Sequence, residues 1–266
     1  MKRLIVNADD FGLTDGVNRA VVECHEAGAV SSTTLLVAAG AAEAAARLAA
    51  GNPSLGVGLH LNLTSGRPVL PHGRVRSLVA SSGGFPGPAG ALLRLSTGYA
   101  RTAELEAEIE AQLLRCRELG ITPTHIDSHH HLHAHPRLRS IIQRVCPGYG
   151  ITRARGYHLG SRSAKSLAVR AAFLLPSRGK RLKTPDRFSG MESMGRNNLA
   201  ELLARELGGP GDTLEFMCHP GHSDRELAAV SSFSSQRETE LAALVSPGFR
   251  QAIEAAGVRL ISFGEL

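Results

Sequence analysis

The 266-residue chain lacks several features that would assign it to a class of protein at once. It has no tryptophan and only three tyrosines, so few aromatic rings are available to stack on ligands or nucleic-acid bases. Its four cysteines form no CxxC pair, which excludes a disulfide framework and a cysteine-based zinc site. No stretch reaches the roughly 18 consecutive apolar residues of a transmembrane helix, and we expect no signal peptide. The sequence therefore predicts a reduced, cytoplasmic protein.

Positive charge is abundant in only one segment. The chain has 30 basic and 24 acidic residues, a formal net charge of +6. Residues 153–187 contain ten Lys or Arg and one acid, so this segment carries +9 and the rest of the chain −3. No nucleic-acid-binding motif or interleaved aromatic residue accompanies the basic segment, and we therefore expect no nucleic-acid partner.

Short β-branched or apolar runs alternate with helical patterns from end to end, which predicts an α/β fold with parallel strands. This length suits one domain over residues 1–266, a single irregular (β/α) TIM-like barrel. Residues 65–102 and 157–197 fit the alternation poorly and are interpreted as long βα-loop insertions over one face. The predicted strands are Arg3–Ala8, Ser32–Ala38, Leu55–Leu63, Thr122–Ser128, Thr152–Arg155, Thr213–Cys218 and Arg259–Phe263.

The sequence is rich in histidine, and its acids and histidines gather at the ends of predicted strands. Six of the twelve histidines lie between positions 125 and 135. The carboxyl ends of parallel barrel strands build the active site, so side chains that follow different strands can meet there. The candidate residues are Asp9 and Asp10 after the first strand, His60 and Asn62 on the third, His125, Asp127 and His129 on the fourth, and His219 late in the chain.

Each of these features has a simpler explanation when it is taken alone. The Asp9–Asp10 pair could form a turn that caps the next helix. A lone histidine in an apolar strand, such as His60, is commonly a hydrogen-bonded core residue. His130, His133 and His135 are expected to be solvated loop or helix-entry residues. Four segments that present such residues at successive strand ends nevertheless favour a metal site.

A carboxylate with two imidazoles suits one catalytic divalent ion, either Zn²⁺ or Mg²⁺, with Mn²⁺ and Co²⁺ as further options. Such an ion lowers the pKa of bound water from 15.7 towards about 7 and polarises a carbonyl oxygen. A second carboxylate can take the proton of the water, and a histidine can protonate the leaving group. The pair Asp9 and Asp10 supplies base and ligand, and His219 supplies the acid. The implied reaction is hydrolysis of an amide or ester.

Four motifs in this order resemble the YdjC-like carbohydrate deacetylases, which include the chitooligosaccharide deacetylases. They are NADDFG (7–12), GLHLNLT (58–64), THIDSHHHLH (124–133) and MCHPG (217–221). The resemblance implies a (β/α) barrel, a divalent metal and removal of an acetyl group from an N-acetylated amino sugar. By motif, it implies Asp10, His60 and His129 as metal ligands, Asp9 as general base and His219 as general acid. His125, Asp127, Asn62 and either Arg153 or Arg155 would support the metal shell or the substrate.

The middle of the chain departs from the chitooligosaccharide-type members. Residues 156–195 are apolar and basic, and they look more like the subgroup associated with hopanoid biosynthesis, which implies an amino-sugar lipid as substrate. An apolar segment followed by Arg178, Lys180, Arg181 and Lys183 can lie at an anionic membrane surface, although a solvated loop is the simpler interpretation. Peripheral contact with the inner membrane face is therefore left open, as is a homodimer.

Two other classes of function remain open on the residues. A phosphoesterase on a similar barrel would need two metals about 3.5–4 Å apart, and His125, His131 and Asp127 are spare ligands. An amidohydrolase commonly opens with His-x-His at the first strand, where this chain has Asp9 and Asp10. A protein that binds a sugar or lipid through a metal without turnover is the non-enzymatic alternative.

Overall fold

The computed structural model describes residues 1–157 and 164–266. Its centre is a sheet of seven strands in the order β4-β3-β2-β1-β6-β5, in which β7 pairs with the beginning of β1 and all pairings are parallel. The α/β class is thereby confirmed. The strands are β1 (Arg3–Phe11), β2 (Ser32–Leu35), β3 (Gly56–Leu61), β4 (Ile126–Ser128), β5 (Arg187–Ser189), β6 (Thr213–Cys218) and β7 (Arg259–Leu260).

The sheet is a curled half-barrel, which is consistent with the irregular TIM-like barrel expected from the sequence, although it does not close. Isolated bridges from Ile126 to Ala154 and from Arg153 to Lys183 extend the β4 edge. Within residues 1–157 and 164–266, no strand pairing joins this edge to β5. The predicted strand Thr152–Arg155 is thus reduced to bridges, and the barrel stays open on that side.

Helices cover the outer face of the half-barrel. The first is capped by Thr14, whose side chain accepts a hydrogen bond from the Val17 backbone N–H. No helix in the described ranges is long and apolar enough to cross a membrane. The helices are α1 (Asp15–Glu26), α2 (Ala42–Gly51), α3 (Gly87–Ser96), α4 (Thr102–Glu118), α5 (Pro136–Val145), α6 (Ala164–Leu174), α7 (Leu199–Leu207), α8 (Arg225–Val230), α9 (Ser235–Leu244) and α10 (Pro247–Ala255).

The two stretches predicted as loops contain regular structure. Helix α3 lies within residues 65–102, and α6 and β5 lie within residues 157–197. Strand β5 is only three residues long. An alternation of apolar and polar residues cannot be recognised over so short a run, which explains why the sequence did not reveal it.

Alternation along the strands separates an apolar outer face from a polar inner face. In β1, Leu4, Val6 and Ala8 belong to the main hydrophobic core beneath the helices. The inner face begins with Ile5, which packs against Ile261, Phe263 and Leu266 as an apolar floor. Above this floor the inner face is polar. Five side chains there have no solvent exposure, namely those of Asn7, Ser32, Thr34, Asp127 and Glu215. The half-barrel therefore holds a buried polar interior that opens at the carboxyl ends of its strands.

Candidate active site and metal centre

A bulge in β1 brings two consecutive carboxylates to the same end of the half-barrel. The β1–β2 register shifts between Ala8 and Phe11, and Asp10 has a φ of 70°. In a regular strand Asp9 and Asp10 would point to opposite faces, but the bulge re-aims one of them. Both side chains are only 2% exposed. Since Thr14 caps α1, the two acids are free for another role.

The turn after the bulge is stabilised by close packing at Gly12 and by two hydrogen bonds of the Asn18 side chain. Gly12 has a φ of 93°, and a Cβ there would lie 3.0 Å from Leu35 Cδ1. The Gly12 N–H donates to Asn18 Oδ1 at 2.6 Å, and Asn18 Nδ2 donates to the Ala41 carbonyl at 3.0 Å. A left-handed conformation at a crowded position favours glycine, so this turn fixes where the two acids point.

Asp10, His60 and His129 converge at the opening of the half-barrel. Their donor atoms are 3.2 Å apart for His60 Nε2 and Asp10 Oδ1, 2.9 Å for His129 Nδ1 and Asp10 Oδ1, and 3.3 Å for the two imidazole nitrogens. Ligands that share one ion at bond lengths of about 2.0–2.2 Å lie roughly 3–3.5 Å from each other. One carboxylate and two imidazoles at this spacing therefore fit a divalent cation.

Asp127 orients His60 from behind. His60 Nδ1 lies 2.7 Å from Asp127 Oδ1 and 3.0 Å from Thr34 Oγ1, and Thr34 donates to Asp127 at 3.2 Å. Burial alone would lower the pKa of His60, but the charges and hydrogen bonds of Asp127 and Asp10 raise it to about 10. A carboxylate behind the imidazole fixes the ring so that Nε2 faces the metal position.

Asp9 is clamped by Arg155. Arg155 donates to both Asp9 oxygens at 2.6 and 2.7 Å, lies 2.9 Å from Asp127 Oδ2 and donates to Glu215 Oε1 at 2.7 Å. Burial raises the pKa of Asp9, but the Arg155 guanidinium more than offsets it and holds that pKa well below its ordinary value. Asn7 also donates to Asp9 Oδ1 at 2.8 Å, so Oδ2 accepts fewer hydrogen bonds than Oδ1.

His219 lies beside the Oδ2 atom of Asp9. Its Nε2 is 4.0 Å from Asp9 Oδ2, and its ring meets Phe233 edge-on at 5.8 Å. Burial, with the nearby Arg237 and Arg155, lowers the pKa of His219 to about 4, so its ring is neutral at neutral pH. The Nδ1 atom has no hydrogen-bond partner in the described part of the chain. Its backbone N–H donates to Glu240 Oε2 at 2.7 Å.

Helix α9 contributes two site residues that sequence reasoning missed. Arg237 Nη2 contacts Asp10 Oδ2 at 2.5 Å, and Glu240 accepts hydrogen bonds from the backbones of Gly195 and His219. Both are at most 3% exposed. They lie one turn apart, but α9 belongs to none of the four motifs. Their only signal is charge on the buried face of a helix, which a single sequence does not reveal.

Three predicted residues are not brought to the opening. Arg153 donates from Nε to the Leu266 carbonyl at 3.2 Å, so Arg155 and not Arg153 reaches the site. His125 stacks on Phe263 at 3.8 Å near the apolar floor. Asn62 accepts from the backbone N–H groups of residues 64 and 65 and so shapes its own loop.

The histidine tract also differs from expectation. His133 is 3% exposed and its Nδ1 lies 2.7 Å from Ser128 Oγ, so it is a buried residue and not a solvated one. His130 and His131 have φ values of 57° and 58°, which are unusual for residues other than glycine. His131 Nδ1 meets the Tyr157 hydroxyl at 2.7 Å. The tract is therefore an ordered turn directly after β4.

A pocket of about 270 Å³, here called the mouth pocket, gives access to these groups. Asp9, Asp10, His60, His129 and His219 form its base. Its remaining wall consists of Leu13, Ser65, His130, His131, Met194, Val230, Ser231, Ser232, Phe233 and Arg237.

The fold and the site define an α/β half-barrel protein with an Asp-His-His cluster beside a paired aspartate and histidine. Residues 3–255 match the family of YdjC-like proteins, and the chain belongs to that family. It is 39% identical to a carbohydrate deacetylase of Geobacillus stearothermophilus, covering 98% of this chain and 96% of that one. A carbohydrate deacetylase of Brevibacillus brevis is 36% identical over 99% of both chains.

A solved structure shares the whole fold. The crystal structure of a candidate cellobiose-phosphate cleavage protein from Enterococcus faecalis V583 aligns with a TM-score of 0.84 and 29% identity. It covers 99% of this chain and 98% of the other. The half-barrel is therefore an architecture shared with that protein over nearly its entire length.

Proposed function

We propose that the protein is a metal-dependent carbohydrate deacetylase that removes the N-acetyl group from an amino sugar. The observation that carries the proposal is the placement of Asp9 and His219 at 4.0 Å from each other, beside Asp10, His60 and His129. Family membership and relatives named carbohydrate deacetylase support it. In the reaction, oxygen from water bonds to the acetyl carbon, the C–N bond breaks, and the amine leaves with a proton.

Asp10, His60 and His129 would hold the cation. When it is bound, the cation polarises the acetyl carbonyl and makes water more acidic. Zn²⁺ and Mg²⁺ are the main options, and Mn²⁺ and Co²⁺ fit the same donors. Asp127 keeps His60 oriented, and Arg237 occupies the Oδ2 atom of Asp10, so that Oδ1 is the oxygen facing the two imidazoles.

Asp9 serves as the general base. Arg155 keeps its carboxylate ionised and fixes its plane, while Asn7 occupies Oδ1. The proton of the attacking water is therefore taken up at Oδ2, the oxygen that faces His219. A positioned base of this kind contributes about 10²–10⁴ to the rate.

His219 serves as the general acid. Its ring is neutral before reaction because burial lowers its pKa to about 4. It must therefore gain a proton during the cycle, and Asp9 Oδ2, 4.0 Å from Nε2, supplies it. Nε2 then protonates the departing amine nitrogen.

Arg155 argues for one cation and against two-metal phosphoesterase chemistry. Asp9, His60 and Asp127 form a second cluster of metal-ligand type. However, the Arg155 guanidinium contacts Asp9 at 2.6 Å and Asp127 at 2.9 Å. A fixed cation already fills the place where a second metal would bind, so we expect one metal ion per chain.

The mouth pocket limits the size of the reacting group. At about 270 Å³ it suits one or two sugar units, in keeping with the scarcity of aromatic rings in the chain. A free amino sugar, a short chitooligosaccharide and the amino-sugar lipid of the hopanoid-associated subgroup are the substrates to compare.

Acetate release from these three substrate types tests the proposal. We expect release by the metal-loaded protein and a loss of at least about 100-fold in kcat for Asp9→Asn. Asp212→Asn, an exposed acid, is the matched control and should keep full activity. Phosphate release from a phosphodisaccharide is measured in parallel, because the name of the Enterococcus protein refers to a sugar phosphate.

Full activity of Asp9→Asn would refute the base assignment. Phosphate release without acetate release would instead favour the phosphoesterase. Metal binding without either product would favour a binding protein that lacks turnover.

We further propose a cytoplasmic location with peripheral contact at an anionic membrane surface. Leu167, Leu174 and Leu175 are 49–61% exposed, and Lys180 and Arg181 are exposed beside them. Binding to anionic vesicles that weakens with salt and in Lys180→Glu/Arg181→Glu would support it, and no binding by the parent would refute it. A homodimer is tested by light scattering on the same samples.

A further inference from the structure

A second cavity lies on the outer side of the sheet, apart from the mouth pocket. It has a volume of about 340 Å³ and lies between α5, the end of α6 and residues 175–184. Its apolar wall includes Ile126, Ile142, Phe173 and Leu182. Arg155, which contacts three carboxylates beneath the mouth pocket, also lines this cavity. We call this space the outer cavity.

Two arginines that line the outer cavity, Arg139 and Arg181, have no carboxylate partner in the described part of the chain. Arg139 is 7% exposed, and its guanidinium donates to the carbonyls of Ala134 (2.8 Å), Ala172 and Leu175. Arg181 lines the same cavity at its exposed rim. Among the described residues neither arginine forms an ion pair with an acid, and residues 158–166 contain no Asp or Glu.

The surroundings of Arg139 lower the pKa of its guanidinium group. Burial lowers its pKa, and the neighbouring charge of Arg181 lowers it further. Two guanidinium groups therefore repel each other beside an apolar wall. An anion placed between them would relieve this repulsion and would form charge-assisted hydrogen bonds.

His133 provides an independent sign of a missing acceptor. It lines the outer cavity and is 3% exposed. Its Nδ1 meets Ser128 Oγ at 2.7 Å, and the same oxygen accepts the His133 backbone N–H at 2.8 Å. In the tautomer that has its proton on Nε2, the serine hydroxyl donates to Nδ1. That Nε2 has no hydrogen-bond partner among the described residues, and an unpaired buried donor is costly.

We propose that the outer cavity binds a small amphiphile with one anionic headgroup, of the class of a medium-chain carboxylate. The headgroup lies against Arg139 and Arg181 and accepts a hydrogen bond from His133, while the chain packs on Ile126, Ile142 and Phe173. At about 30 Å³ for each water-sized group, 340 Å³ holds roughly eleven such groups. Octanoate is of that size. This site is separate from the proposed deacetylation and does not depend on it.

Calorimetric titration of the full-length protein with octanoate, below its micellar concentration, tests the site. We expect one saturable site per chain, at least tenfold weaker binding in Arg181→Glu, and loss of binding when Leu182→Trp fills the cavity. Arg178→Glu is the matched control, because this exposed cation in the same segment does not line the cavity. Octanol, which has the chain without the charge, should bind at least tenfold more weakly than octanoate.

Thermal unfolding of each variant shows that it is folded before it is titrated. Ile142→Trp is a second variant in which a larger side chain fills the cavity. Absence of saturable octanoate binding would overturn the proposal. So would equal binding by Arg181→Glu, equal binding of octanol, or displacement of octanoate by N-acetylglucosamine in the metal-loaded protein. The last result would place octanoate in the mouth pocket.

Discussion

The mouth pocket and the outer cavity both contain a buried arginine, but its partners differ. In the mouth, Arg155 faces the carboxylates of Asp9, Asp127 and Glu215. In the outer cavity, Arg139 faces backbone carbonyls and the Phe173 ring at 4.8 Å. The first arginine is surrounded by more negative charge than it neutralises, whereas the second has no acidic partner among residues 1–157 and 164–266.

This difference indicates the charge of the ligand that each region would bind. The surplus of carboxylates beside His60 and His129 favours a cation in the mouth. The surplus of guanidinium charge favours an anion in the outer cavity. The two regions can be separated by substitutions that remove one charge at a time.

The largest effect is expected from Arg155→Met. It leaves three buried carboxylates without their common cation, which should cost about 3–5 kcal/mol of unfolding free energy and lower acetate release at least about 100-fold. Arg139→Met removes hydrogen bonds to carbonyls and a cation–π contact with Phe173, and it should cost about 1–3 kcal/mol with activity retained. Urea unfolding and acetate assays compare the pair. Equal losses in both variants would contradict the distinction drawn between the two arginines.

A smaller effect is expected at the metal. Asp127→Asn removes the charge behind His60 Nδ1 and should weaken Zn²⁺ binding about 10–100-fold, measured by competition with a chromogenic chelator. The exposed Asp212→Asn should leave the affinity unchanged. Unaltered affinity in Asp127→Asn would mean that His60 is oriented without it.

The neutral state of His219 has a consequence for stability. Its pKa is about 4 in the folded protein and about 6.5 unfolded, so the unfolded chain takes up the proton first and stability is lost as pH falls through this window. At about 1.4 kcal/mol per pKa unit, this amounts to roughly 3 kcal/mol. In metal-free protein, His219→Gln should therefore gain stability relative to the parent between pH 7 and pH 4, as measured by urea unfolding. Parallel pH profiles would refute this.

The smallest effect is expected from Arg153→Ala. Its side chain contacts the Leu266 carbonyl and not the mouth pocket, so kcat/KM for acetate release should change less than twofold. A loss comparable to that of Arg155→Met would show that Arg153 acts on the site from a distance.

Much of the site could be predicted because its residues follow strands. Asp9, Asp10, His60, His129 and His219 each come at the end of an apolar run, and parallel strands end together at one edge. Arg237 and Glu240 could not be predicted, since α9 reaches the site only through tertiary packing. The choice between Arg153 and Arg155 was also beyond the sequence, because a two-residue run paired only by isolated bridges has no readable alternation.

The open sheet was beyond the sequence for a related reason. Alternation of strands and helices indicates parallel pairing but carries no information on whether the first and last edges meet. Closure depends on the strand at 152–155, and the chain forms only bridges there.

By itself, the sequence determined the α/β class, the polar strand ends and the scarcity of rings for stacking. Local periodicity and composition are sufficient for these, because each depends on neighbouring residues. Only the tertiary structure decided that Arg155 clamps Asp9, that Arg237 holds Asp10, and that the basic segment borders a second cavity. These contacts join residues far apart in the chain, and their energies depend on burial, which no local pattern records.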